Sequence, residues 1–234
     1  MNPESIVTVQ NLSKTHRISG GEVAALRSVS FTMAPGSVVA VIGPSGSGKT
    51  TLLNLVSGLD RPTTGEVQVL GRTLTDMESE AATDFRRRHI GFVFQFFNLI
   101  PTMTAGDNVA LPLLAEGLSR GEVARRSQAA LHAVGLGGHE RRRASELSGG
   151  EMQRVAVARA VVMDPALVLA DEPTGNLDSV SGESILGLLC TASRAARRAV
   201  LLVTHSYMAT AFADRILVMR DGEIVDELAP ADRP

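Results

Sequence analysis

The sequence is short of the residues that would mark several common protein classes. It has one cysteine, Cys190, in 234 residues, which excludes an internal disulfide framework and suits a reducing compartment. Cys190 closes the apolar stretch Ile185-Leu186-Gly187-Leu188-Leu189-Cys190, where a buried, inert thiol is expected rather than a nucleophile. Tryptophan is absent, tyrosine occurs once and aromatics make up 3% of the chain, so a stacking platform for single-stranded nucleic acid is unsupported. A net charge of -2 and a pI near 6.2 remove the basic footprint of nucleic-acid binding. No apolar run approaches the roughly 18 residues of a spanning helix, and Met1-Asn2-Pro3-Glu4 has neither a basic nor an apolar leader region. Neither membrane insertion nor secretion is therefore expected. Lysine is also scarce: Lys14 and Lys49 are the two lysines among 23 basic residues. What the chain has in quantity is 44% hydrophobic residues, enough for a sizeable core in one large or two small domains.

One of those two lysines sits in Gly43-Pro44-Ser45-Gly46-Ser47-Gly48-Lys49-Thr50-Thr51, directly after the apolar run Val38–Ile42. A strand ending at Ile42, glycines that permit a tight turn and a helix starting near Lys49 make a nest of inward N–H groups suited to a phosphate. Lys49 would reach the β- and γ-phosphates as a compact ammonium, where a planar guanidinium fits poorly. The Thr50 hydroxyl would ligate the Mg²⁺ that bridges them. A surface glycine-serine loop with an incidental lysine would lack the strand-then-helix context.

Short strands are expected at Ile6–Val9 and Ser28–Met33, with a turn at Pro35-Gly36. After the cradle, Leu52, Leu53, Leu55 and Val56 form a helix face that stops at Gly58, and 64–70 alternates as a half-buried strand. Ile90–Gln95 reads as a strand ending in an amide, behind the solvated basic helix end 86–89. The segment 96–103 is apolar, aromatic and kept from plain helix by Pro101, so it is either tucked into the core or a landing site for a partner. From Thr104 to Met163 the pattern is helical, with capping-box spacing at Ser119/Glu122 and Ser148/Glu151. Ala166–Ala170 and Val200–Thr204 read as strands buried on both faces, with a helix over 179–196 between them. A short helix over 208–213 leads to a hairpin of 216–219 and 223–225 turned at Asp221-Gly222.

Alternating buried strands and helices mean an α/β fold with a parallel sheet and its ligand at the strands' carboxyl ends. The cradle, Asp171-Glu172 and His205 all lie at such ends. Asp171 can join the Mg²⁺ shell, and Glu172 can polarise a water for in-line attack on the γ-phosphorus. His205 can touch the γ-phosphate or that water, and the Gln95 amide can sense Mg²⁺ and water. Ser148, Gly149 and Gly150 open a helix and make either a second anion site or a plain helix cap. The helical stretch reads as an insertion into one nucleotide-binding core.

Together, Gly43–Thr51, Gln95, Leu147-Ser148-Gly149-Gly150-Glu151, Asp171-Glu172, Asp178 and His205 resemble, in order and over nearly the whole chain, the ATP-binding cassette ATPases. The resemblance implies a P-loop NTPase core with an N-terminal antiparallel β subdomain, spanning residues 1–95 and 161–234, and an α-helical insertion over about 96–160. It implies ATP and Mg²⁺ as ligands, with Thr50, Gln95 and Asp171 toward the metal and Glu172 and His205 catalytic. It further implies an ATP-bound head-to-tail homodimer in which Ser148, Gly149 and Gly150 close over the other copy's nucleotide, with Asp178 across the interface. His16 falls where family members stack adenine on an aromatic, and would stack it less strongly. The segment Gln95–Met103 and the insertion are expected to dock a membrane permease, placing the chain peripherally on the cytoplasmic face of a bacterial membrane. Phe96–Thr104 and Pro173–Asp178 resemble the macrolide-exporter and lipoprotein-release branch. An importer subunit or a soluble mechanical ATPase are the alternatives; a small-molecule kinase would leave 147–151 without a role.

Overall fold

The computed structural model describes residues 5–19 and 21–229; the leader reading at 1–4 lies outside them. Two sheets organise the chain. The large one runs β10-β9-β3-β8-β7-β6, from β3 (Val38–Ile42), β6 (Ile90–Val93), β7 (Leu167–Asp171), β8 (Ala199–Thr204), β9 (Arg215–Arg220) and β10 (Glu223–Leu228). Its strands are parallel except for β10, which forms a hairpin with β9. The small sheet is antiparallel, β2-β1-β4-β5, from β1 (Val7–Ile18), β2 (Gly21–Met33), β4 (Thr64–Val69) and β5 (Arg72–Thr73).

Strand periodicity assigns the two faces of β3. Val39 and Val41 join Leu201 and Val203 in a core shared with the small sheet and with α1 (Lys49–Val56). Val38, Ala40 and Ile42 point the other way, into a core with Val168, Val200 and the helical residues Val109, Leu113, Leu131 and Val155. Those residues belong to α3 (Ala105–Ala115), α4 (Arg120–Ala133) and α5 (Gly149–Val161). The helical stretch therefore shares one hydrophobic core with the sheet. Backbone contact makes this close: a Cβ on Gly91 of β6 would lie 2.0 Å from the Ala160 carbonyl oxygen of α5. Two further helices, α2 (Ser79–His89) and α6 (Ser179–Ala195), complete the fold.

Four local expectations change. The first two strands are 12 and 13 residues long, not short; register shifts near Asn11 and Lys14, and positive φ at Asn11 and Ser28, break the alternation that would reveal their length. Ser119 does cap α4 through the Glu122 N–H, but Glu122 turns its carboxylate to Arg125 and Arg126 instead of closing a capping box. The basic end of α2 is not simply solvated, because Arg87 and Arg88 both pair with Glu116 at 2.9 Å. The helix expected at 208–213 is a five-residue 3-10 turn, Tyr207–Ala211.

Candidate functional site

The loop between β3 and α1 is built for a tight reversal. Gly46 and Gly48 have φ of 80° and 101°, the left-handed region that glycine enters without strain, and a Cβ on Gly48 would sit 2.4 Å from the Ala25 carbonyl oxygen. Gly48 caps α1 without a side chain, and the first turn contains no acidic residue. Its N–H groups are thus left for an anion. Lys49 is 7% exposed and donates to the Gly43 and Pro44 carbonyls at 2.8 and 2.9 Å, bracing the loop. Among the described residues the buried Ser47 hydroxyl has no hydrogen-bond partner.

A cleft of about 440 Å³ opens over this loop, lined by Ser45, Gly46, Gly48, Lys49, Thr50, Thr51, Gln95, Glu172, His205 and, from β2, Val23–Ala25. Asp171 ends β7, and its Oδ1 accepts from the Thr50 hydroxyl at 3.3 Å. Burial raises the Asp171 carboxyl above the usual carboxylate range, and the charge of Glu172 adds to the effect. Glu172 has φ of 45°, a backbone turn that swings its side chain toward β8. There its Oε2 meets the Thr204 hydroxyl at 3.1 Å and His205 Nδ1 at 2.9 Å. Glu172 is largely buried and His205 exposed at the mouth.

The strand before Gln95 stops two residues early: β6 ends at Val93, and Gln95 lies in a turn. Beyond that turn the backbone bends through the left-handed region at Phe97 and Asn98. Arg159 of α5 holds that bend, donating to the Phe97 and Asn98 carbonyls at 2.8 and 2.6 Å, and buried Asn108 of α3 binds both backbone groups of Ile100. Leu99 packs on the core, whereas Phe96 is 70% exposed. The segment is both tucked in and presented.

Ser148, Gly149 and Gly150 do not line the cleft. They open α5 beside Leu177 and Ser181, next to Asp178, which caps α6 through the Ser181 N–H at 3.0 Å. The Ser181 hydroxyl and backbone hold the Asp178 carboxyl below its ordinary value. His16 is exposed on β1 opposite Val23 and is not part of the cleft lining.

Several positioning side chains, Asn108 among them, are not singled out by the sequence. Besides Arg159, buried Gln153 of α5 donates to the Pro173 carbonyl at 2.8 Å, and Asn176 donates to the Gln95 carbonyl at 2.8 Å. Polar residues at interior helix positions, such as Gln153 and Arg159 on either side of Val155–Ala158, are the available signal.

A family profile described as ABC transporter matches residues 26–175. An uncharacterised ABC transporter ATP-binding protein of Mycobacterium tuberculosis is 45% identical over 96% of this chain and 91% of its own length. The lipoprotein-releasing system ATP-binding protein LolD of Chromohalobacter salexigens is 43% identical, over 97% and 95%. Among solved structures, the ATP-binding cassette MJ0796, a dimer in a post-hydrolysis state bound to ADP and Pi, superposes with a TM-score of 0.89 at 39% identity, over 96% of this chain and 98% of that one. Likeness of this extent, in sequence and in fold, shows that the chain belongs to the ABC transporter family as an ATP-binding domain.

Proposed function

We propose that this ATPase is the nucleotide-binding subunit of a transporter that pairs head to tail with a second copy on ATP and drives a separate membrane permease. The carrying observation is Glu172, a largely buried carboxylate at the cleft, held by Thr204 and His205 and facing the cradle that carries Lys49 and Thr50.

In this reading the triphosphate lies along the N–H groups of 43–51, and Lys49 turns part of its hydrogen bonding from loop carbonyls to phosphate. The hard oxygen donors of Thr50, Asp171 and Gln95 suit Mg²⁺, and the raised Asp171 carboxyl is what a nearby cation would relieve. Held by those three residues, Mg²⁺ would supply positive charge against the phosphate oxygens. Glu172 takes a proton from the attacking water, whose oxygen bonds to the γ-phosphorus as the bond to the β-phosphate oxygen breaks, giving ADP and phosphate. His205 holds Glu172 by its Nδ1 side and presents its ring to the cleft mouth. Ser148, Gly149, Gly150 and Asp178, which the fold keeps out of this cleft, serve the partner copy's nucleotide. His16, on the strand opposite Val23, borders the base.

Among the described residues no helix is long and apolar enough to cross a membrane, and exposed Phe96 and Ile100 lie on the segment that Arg159 and Asn108 hold. That surface is the permease dock, placing the subunit on the cytoplasmic face of a bacterial membrane. The likeness to LolD favours the exporter or lipoprotein-release branch. Replacing Glu172 by Gln should lower hydrolysis by about 100-fold or more and trap an ATP-dependent dimer visible by light scattering. A variant that hydrolyses normally and stays monomeric would sink the assignment. The same trapped form, tagged and purified from detergent-solubilised membranes, should carry a four-helix permease with a large extracytoplasmic domain; a many-helix importer permease would overturn the branch.

A further inference from the structure

The N-terminus of α5 holds a conflict. Glu151, in its first turn, closes a full capping box: its Oε2 accepts from the Ser148 N–H at 2.8 Å and from the Ser148 hydroxyl at 2.9 Å, while Ser148 Oγ accepts from the Glu151 N–H. The serine proton therefore points at a carboxylate, and a fixed negative charge sits where an anion is to be received. These hydrogen bonds and Arg142 keep the Glu151 carboxyl below its ordinary value, so the charge does not vanish by protonation near neutral pH.

The other carboxylate oxygen has its own partners. Arg142 Nη1 donates to Glu151 Oε1 at 2.8 Å, and His139 Nε2 lies 3.5 Å from the same atom. The second amino group of Arg142 donates to the Glu146 carbonyl, which aims the guanidinium at the helix terminus. Its backbone is anchored as well, the Arg142 carbonyl accepting from the Ala105 N–H at 2.8 Å. We propose that Arg142 is a positioning residue of the composite ATP site: it offsets the Glu151 charge, so that the Ser148 hydroxyl can transfer its hydrogen bond from Glu151 to a phosphate of the neighbouring copy's nucleotide. This rests on the head-to-tail reading above. A half-exposed ion pair adds little to folding, so the pair's value lies in the electrostatics of the helix terminus, where one uncompensated carboxylate weakens anion binding.

The test uses the full chain carrying Glu172→Gln and reads the ATP concentration that gives half-maximal dimer by analytical ultracentrifugation. Arg142→Ala should raise that concentration by about tenfold. Adding Glu151→Gln, which keeps a capping side chain and removes the charge, should restore it to within about twofold. Binding of a fluorescent ATP analogue to the monomer should be unchanged in all variants, because Arg142 does not line the cradle cleft. Unaltered dimerisation in Arg142→Ala would overturn the proposal. So would a defect that Glu151→Gln fails to rescue, since it would assign the effect to the Glu146 carbonyl contact or to direct anion binding by Arg142. Failure of the Glu172→Gln parent itself to dimerise would instead strike the head-to-tail reading and take this proposal with it.

Discussion

Helices α1 and α5 both begin at glycine-bearing turns, and their first turns are wired in opposite ways. At α1 the cap is Gly48, with no side-chain acceptor and no acidic residue in the first turn, so neither the cap nor that turn competes for the N–H groups. At α5 the cap is Ser148, and the chain's own Glu151 already occupies the terminus. A helix end left bare by its sequence is prepared to bind an anion alone. A helix end that is self-capped is stable without one, and it takes an anion only when the competing carboxylate is offset and the anion is delivered by something else. This asymmetry suits a tight primary site and a second site that engages only on assembly.

The comparison can be broken most forcefully at the bare terminus. Lys49→Met keeps the apolar stem and removes the ammonium, and should lower ATP hydrolysis by roughly 100-fold or more, with nucleotide binding to the monomer lost in the same titration. Retention of full nucleotide affinity would show that the bare terminus is not the primary site. At the capped terminus the expected effects are smaller and differently divided. Ser148→Ala should cost about 1 kcal/mol of folding stability through the lost cap and raise the ATP concentration needed for dimerisation about tenfold, while monomer affinity stays the same. A loss of monomer affinity would erase the distinction between the two helix ends.

The smallest effect concerns the acid that the bare terminus faces. Asp171 has a folded-state carboxyl raised above 3.8 by burial, so the folded protein binds this proton more tightly than the unfolded chain. The ionised form therefore costs stability above the raised value, and the cost disappears as pH falls through it toward 3.8. Asp171→Asn should stabilise the nucleotide-free protein at pH 7 by about 1 kcal/mol or less, a few degrees in melting temperature. That advantage should shrink as the pH is lowered toward 4. An advantage constant across this range would mean that Asp171 ionisation is not its source.

The strands and the cradle were legible because their causes are local. Five consecutive apolar residues before a glycine-rich turn leave Val38–Ile42 little choice, and the Ser148/Glu151 spacing describes a cap that forms within one helical turn. The long first strands were not legible, since bulges at Asn11 and Lys14 shift the pairing register and hide the alternation. Glu122 escapes a local pattern for a related reason: two arginines on the same helix compete with the Ser119 N–H for its carboxylate, and spacing alone does not rank one donor against another.

By itself, then, the sequence determined the strand-turn-helix that cradles an anion, the acids at the ends of buried strands and the two capped helices, all set by contacts within a few residues. Tertiary structure alone decided which of these meet. Parallel pairing of β3, β8 and β7 brings Asp171, Glu172 and His205 to the cradle from positions more than a hundred residues away. The packing of α5 across β6 sets Arg159 on the bend after Gln95, Gln153 on the loop after Glu172, and Ser148 away from its own chain's cleft. Those relations depend on sheet order and on backbone approach between distant segments, which no local pattern of residue types encodes.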